Sequence, residues 1–191
     1  MTNRRVLFPY MIVLFVIIAM TVGCIEENEK DETILTVTFD DYTAEYSLDD
    51  LESIDSYTGS GRYIKTKLLP DSVVITDTVS YTGVRMYKIL EDIPNLPDSY
   101  NISVVSSDDW EVTYTMDDIE GNVDIYDDVG NIIQNATAVM ILAYKEDGQY
   151  YSKIDQDGET GPLRVAYVDD DVITSSNLWS KMVVTVEIIS I

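Results

Sequence analysis

Apolar and polar positions fall into three regimes along the chain. Val6 to Val22, VLFPYMIVLFVIIAMTV, is apolar almost without a break. The run IEENEKDE that begins at Ile25 is almost wholly polar. From Thr33 onward, short stretches of branched and aromatic residues alternate with acidic or glycine-containing turns, a pattern that predicts many strands and a few short helices.

Residues 33–39, TILTVTF, read as a strand that turns at Asp40-Asp41, after which Tyr42, Ala44 and Tyr46 alternate with polar partners as in a hairpin. Ser47 with Asp50 three positions on approximates a capping box, which predicts a helical turn over Leu48-Asp49-Asp50-Leu51. The phrase FDDYTAEYSLDDLE returns 68 residues later as SDDWEVTYTMDDIE. The second copy predicts the same elements: strand 102–106, a turn at Asp108-Asp109, alternating Trp110, Val112 and Tyr114, and Thr115 as a cap. Carboxylates in those places satisfy backbone amides, so the repeated acids read as scaffolding and not as a general acid and base.

Between the copies, Gly59-Ser60-Gly61 reads as a flexible loop, followed by the basic cluster Arg62, Lys65 and Lys67 and a strand at 73–75. Tyr81-Thr82-Gly83-Val84 leads into a short helix, Arg85 to Glu91, ended by Pro94 and Pro97. Ala138 to Tyr144 is a continuous apolar run suited to a buried strand. Glu146-Asp147-Gly148-Gln149 is a turn, and Tyr150-Tyr151 opens a return strand. Gly161-Pro162 breaks the chain before a strand to Val168, and Met182 to Ile189 closes the domain as a last strand.

The N-terminal run is an address. Arg4 and Arg5 precede it, and Gly23-Cys24 follows it as a small residue before a cysteine, similar to the lipobox at which prokaryotes lipidate exported proteins. Thr21 stands where a leucine is usual. An uncleaved helix is the alternative, since 17 residues would span roughly 26 Å against a ~30 Å hydrocarbon core; plain secretion is a third. All three place the rest of the chain outside the cytoplasm. The expected organisation is a signal at 1–23, an acidic tether at 24–32 and one domain at 33–191, attached to the outer face of the membrane by lipid or helix.

Composition removes much chemistry. There is no histidine, and Cys24 is the sole cysteine. Ser-His-Asp and Cys-His nucleophiles and His-rich zinc sites are therefore excluded, as are internal disulfides. Thirty-five acids against 12 bases give a net charge of −23, and losing residues 1–23 removes two arginines and no acid, for about −25. Such a surface repels nucleic acid and anionic headgroups. It reads as a solvated acidic coat, with a divalent-ion or cationic-partner surface as the sharper alternative.

The order of motifs adds a family. YTGV before a short helix, DDW…YT..DI, the MILAY strand with its EDG turn, GPLR and a closing W.K…VEI strand together resemble the oxidoreductase molybdopterin-binding domain of the sulfite oxidase family, over about residues 78–190. The resemblance implies a mostly β α+β fold, a mixed, barrel-like arrangement of sheets with short helices that holds a molybdenum–pterin cofactor. It places Gly161, Pro162 and Arg164 on the family's late GPxR turn, and Lys181 at the lysine near the pterin phosphate. The family's metal-binding cysteine would fall between Gly59 and Tyr81, where this chain has none, and its RNH-type motif is missing. Arg62, Lys65, Lys67, Arg85, Arg164 and Lys181 remain to hold a phosphate. No cofactor is expected, and molybdopterin is the alternative. The plain alternatives are a strand-breaking turn for Gly161-Pro162 and an ion pair for Arg164.

Two weaker signals complete the inventory. Ile154 to Thr160 resembles a calcium loop through Asp155 and Asp157 but lacks a third acid before Gly158 and the distant bidentate glutamate. Asn101-Ile102-Ser103 and Asn135-Ala136-Thr137 are N-glycosylation sequons, usable if the protein is exported by an archaeon, with chance occurrence of the triplets as the plain alternative. The leading expectation is a lipid-anchored, non-catalytic binding module for an unidentified protein or small molecule. A molybdopterin-dependent oxidoreductase subunit without a cysteine ligand is the rival, and a calcium-dependent adhesion domain the weaker third.

Overall fold

A computed structural model describes residues 32–65, 73–154 and 161–191. The signal with Cys24, nearly all of the tether, Lys67 and the Asp155/Asp157 loop lie outside the described residues. Asp31–Ile191 groups by its contacts as one unit.

Among the described residues, twelve strands and four helical segments succeed one another as β1 (Leu35–Phe39), β2 (Tyr42–Tyr46), α1 (Leu48–Ser53), β3 (Ser56–Lys65), β4 (Val74–Ile75), β5 (Val79–Arg85), α2 (Met86–Leu90), β6 (Tyr100–Ser106), β7 (Glu111–Tyr114), α3 (Met116–Ile119), β8 (Val139–Glu146), β9 (Gln149–Tyr150), α4 (Tyr151–Ile154), β10 (Arg164–Val168), β11 (Val172–Ser175) and β12 (Val183–Ser190), with one 3-10 turn at Ser176–Leu178 before β12. This is the mostly β α+β class that the pattern predicts. One sheet runs β2-β1-β12-β6-β7 and the other β10-β8-β5-β3-β11, with β4 added to β3 and β9 to β8. In the first sheet the strands that lead into the two copies of the repeated phrase flank β12: β1 pairs with it in parallel, β6 antiparallel.

The main core lies where the two sheets face each other. Leu35, Val37, Ile102, Val104, Val186 and Ile188 come from the first sheet; Val84, Met140, Leu142, Val165 and Tyr167 from the second; Leu51, Ile89, Leu90 and Ile119 from the helices. A smaller cluster, Tyr81, Ile141, Ala143, Tyr151, Ala166 and Val168, lies on the other face of the second sheet. Alternate residues of β8 and β10 therefore serve different cores. That explains why Ala138 to Tyr144 is unbroken apolar sequence: a strand buried on both faces has no polar side.

Two local expectations are corrected. Gly59-Ser60-Gly61 is not a loop but the middle of β3, paired with Tyr81, Ser80 and Val79. Its glycines serve close approach. A Cβ on Gly61 would lie 2.4 Å from the Tyr167 carbonyl oxygen and one on Gly59 3.0 Å from that of Asp169. Ser60 donates to the Asp169 carbonyl at 2.8 Å and accepts from the Asp169 amide at 3.1 Å, so the second sheet curls until β3 meets the end of β10. The return strand at Tyr150-Tyr151 is also shorter than expected. β9 ends at Tyr150, and Tyr151 starts the single turn of α4, with its ring buried in the smaller core.

Candidate functional site

Arg164 shares a face of β10 with Ala166 and Val168, and so points toward the smaller core. A charged group there needs partners, and it has them. Its Nη1 donates to Glu146 Oε2 at 3.1 Å and to the Tyr81 hydroxyl at 3.4 Å. The Tyr151 hydroxyl donates to the same glutamate oxygen at 3.1 Å. The arginine side chain is 8% exposed and the glutamate 28%.

The position of Glu146 depends on an irregularity. Tyr81 pairs with Glu146 and Thr82 with Lys145, but Gly83 pairs with Ala143, so β8 carries one extra residue at Tyr144. Strict alternation would put Glu146 on the face of Met140, Leu142 and Tyr144. The bulge moves it to the face of Ala143, opposite Arg164. Gly83, the glycine of the YTGV motif, sits at this bulge, where a Cβ would meet the Leu142 carbonyl at 2.2 Å.

Aromatic rings form one wall. Trp179 lies between Tyr63 and Tyr81, at centroid distances of 5.1 and 5.3 Å, with its indole N–H donating to Thr174 Oγ1 at 2.8 Å. Beside these groups opens a cleft of about 370 Å³ lined by Tyr63, Lys65, Thr76, Asp77, Tyr81, Glu146 and Arg164, among others. Burial pushes the Tyr81 phenol up to about 12, with Arg164 opposing. Tyr151 is raised further, again chiefly by burial. Burial also penalises the Arg164 charge, but the fields of Tyr151, Tyr81 and Glu146 outweigh that, so its hold on the proton is strengthened. The result is a cation–anion pair with neutral phenols around it.

Of the cations expected to hold a phosphate, the structure brings Lys65 and Arg164 onto this cleft. Arg62 is committed elsewhere, gripping Asp171 through Nε and Nη2 at 3.0 and 2.9 Å and Asp128 at 3.0 Å. Arg85 lies over the Tyr57 ring at 4.6 Å, and Lys181 is exposed and does not line the cleft. Gly161 has φ +65, and a Cβ on it would meet Met182 Cα at 2.4 Å; Pro162 follows it, half-buried. Positive φ and tight packing on the start of β12 are sufficient reason for that glycine. Among the described residues, no three His, Cys, Asp or Glu side chains are grouped to hold a metal ion. Glu146 and Tyr151 are members of the site that sequence reasoning missed.

These residues do not fit a molybdenum–pterin group in the manner the family resemblance implies. Residues 59–81 contain no thiolate for the metal. The buried cation is already neutralised by Glu146, and Asp77 opposes Lys65 on the same cleft.

No protein-family model matches the chain, and no curated protein matches it. Among solved structures it is similar to the sulfane dehydrogenase SoxCD from Paracoccus pantotrophus, at a TM-score of 0.53 and 13% identity, over 81% of this chain and 37% of that one. The chain thus spans little more than a third of that protein's length. At this identity the likeness speaks to architecture alone, and the architecture is the sulfite-oxidase-like α+β fold.

Proposed function

We propose that this chain is an extracytoplasmic, lipid-anchored binding module, archaeal in origin, that uses a sulfite-oxidase-like fold without its molybdenum chemistry. The observation that carries the reading is the Arg164–Glu146 pair, closed by the Tyr81 and Tyr151 hydroxyls. A site for a dianionic phosphate keeps its guanidinium open toward the ligand. Here one arm of the guanidinium, Nη1, is turned onto an internal carboxylate, in a protein whose net charge of −23 already disfavours anions. The neighbouring cleft is aromatic-walled and charge-balanced, which suits a small polar ligand or a partner side chain. Gly23-Cys24 supplies the anchor, and lipidation at Cys24 holds the domain at the outer face of the cytoplasmic membrane.

One observation favours the rival, an oxidoreductase subunit that holds the cofactor without a cysteine. Arg164 Nε is buried and has no hydrogen-bond partner. A single experiment separates the two. Full-length protein is produced in a host that makes the cofactor, with the export route intact, and its molybdenum is measured together with sulfite oxidation. The binding-module reading expects far less than one metal atom per chain and no activity, in the native protein and in Glu146→Gln, where Arg164 is released. Near-stoichiometric molybdenum in the native chain would assign it to the rival class.

A further inference from the structure

The two sequons look alike in the sequence and differ in the fold. Asn101 lies within β6, half-buried and paired with Ile189 of β12. Its third residue, Ser103, is 1% exposed and donates its hydroxyl to Glu111 at 2.6 Å. That hydroxyl is the group which defines the acceptor triplet, and here it is sequestered in the centre of a sheet. Asn135 stands instead on a turn before β8. It is exposed, with φ 59, its Thr137 is exposed too, and its side-chain amide makes no hydrogen bond among the described residues.

A second observation lies beside it. Val129, Ile132 and Ile133 are 70%, 50% and 46% exposed, an unusual density of branched apolar side chains at the surface of an acidic protein. Local bonds hold them in place. Asp127 accepts from the amides of Val129 at 3.0 Å and Asn131 at 2.8 Å, and the Ile133 amide donates to the Ile125 carbonyl at 2.7 Å. The segment is thus shaped, with its apolar side chains turned outward and the Asn135 amide two residues from the last of them.

We propose that Asn135 carries an N-linked glycan, that Asn101 does not, and that the glycan covers the apolar segment 129–133. This rests on the extracytoplasmic reading above. The donor is a polyprenyl-phosphate-linked oligosaccharide. A bond forms between Asn135 Nδ2 and the anomeric carbon as the bond from that carbon to the lipid phosphate oxygen breaks. The lipid phosphate leaves with the bonding electrons, and one amide proton passes to a base. A bulky, hydrated chain at this point shields apolar surface that nothing else among the described residues covers.

The test uses the full chain, produced in a host whose export route includes N-glycosylation, with glycopeptide and intact-mass measurement of the membrane fraction. The expected result is a glycan mass on the Asn135 peptide in the native protein and in N101Q. It is lost in N135Q and also in T137A, which leaves the asparagine in place. Both unglycosylated variants should bind more of an apolar fluorescent dye than the native protein while keeping its circular dichroism. Exported protein with an unmodified Asn135, or with a glycan on Asn101, overturns this inference alone. Protein that never leaves the cytoplasm overturns the inference together with the surface reading beneath it.

Discussion

The two copies of the repeated phrase are nearly the same object at their helix starts and different objects at both ends. Ser47 and Thr115 have matching backbone angles, φ −81 and ψ 174 against φ −82 and ψ 170. In each, the cap amide donates to the aspartate three residues on at 2.8 Å, and that aspartate's amide donates back to the cap hydroxyl at 3.2 or 3.3 Å. The repeated acids Asp50 and Asp118 close capping boxes. The hairpins before them differ. Phe39 pairs with Tyr42 across a two-residue turn with Asp40 at φ 48. In the second copy Val105 pairs with Glu111, the Ser106 amide donates to the Trp110 carbonyl, and Asp109 takes φ 64, so that turn holds one more residue. Leu35 therefore corresponds to Ile102, not to Ser103. A local hydrogen-bond device can be copied by sequence alone, whereas the strand in front of it answers to the sheet it enters.

The chain beyond the helices separates the copies most. Ser53 ends α1, and the extended Ile54 carries the chain into β3 of the other sheet. The counterpart of Ser53 is Gly121, at φ +81, where a Cβ would lie 1.6 Å from the Ala138 carbonyl oxygen. Exchanging the two residues should break the equivalence most strongly. Gly121→Ser combines a left-handed backbone with direct overlap and should cost about 3 kcal/mol in chemical denaturation. Ser53→Gly should cost about 0.5–1 kcal/mol, the usual penalty for glycine at a helical position. Equal losses would mean that the two exits are interchangeable after all.

Alkaline titration probes the paired tyrosines. Tyr46 is half-buried at the edge of the fold; Tyr114 is fully buried and donates to the Leu178 carbonyl at 3.1 Å. Burial raises both phenols, Tyr114 by more. A phenol whose affinity for its proton is higher in the folded state adds stability below its ordinary value of 10.0, and that stability is lost as pH rises through the folded value. Stability should accordingly fall from about pH 10 upward. The Tyr81 contribution is spent by about 12, and those of Tyr114, Tyr151 and Tyr167 persist further up. Denaturation measured across this range should be blunted more by Tyr114→Phe than by Tyr46→Phe. A steeper effect at Tyr46 would reverse the assignment of which copy is the more deeply set.

The smallest difference between the copies is expected at their caps. Ser47→Ala and Thr115→Ala should each cost about 1 kcal/mol, the usual worth of an N-cap. A difference between them larger than either loss would show that the caps, too, had diverged.

The hairpins, the capping boxes, the doubly buried β8 and the mostly β class could all be read from residue order, because each is specified within a few neighbouring positions. The motif order from YTGV to VEI pointed to the sulfite-oxidase-like fold that the structural likeness supports. Gly59-Ser60-Gly61 was misread because glycine in a turn and glycine under a crossing strand look the same until the Tyr167 carbonyl is placed 2.4 Å away. Arg164 was visible as a candidate, but Glu146 as its partner was not. Alternation along β8 assigns Glu146 to the wrong face, and only the bulge against β5 turns it toward the arginine. Which cation meets which acid, and which sequon keeps a free hydroxyl, are decided by strands that pair across scores of residues. Local sequence carries no term for those contacts, and the packed sheets supply it.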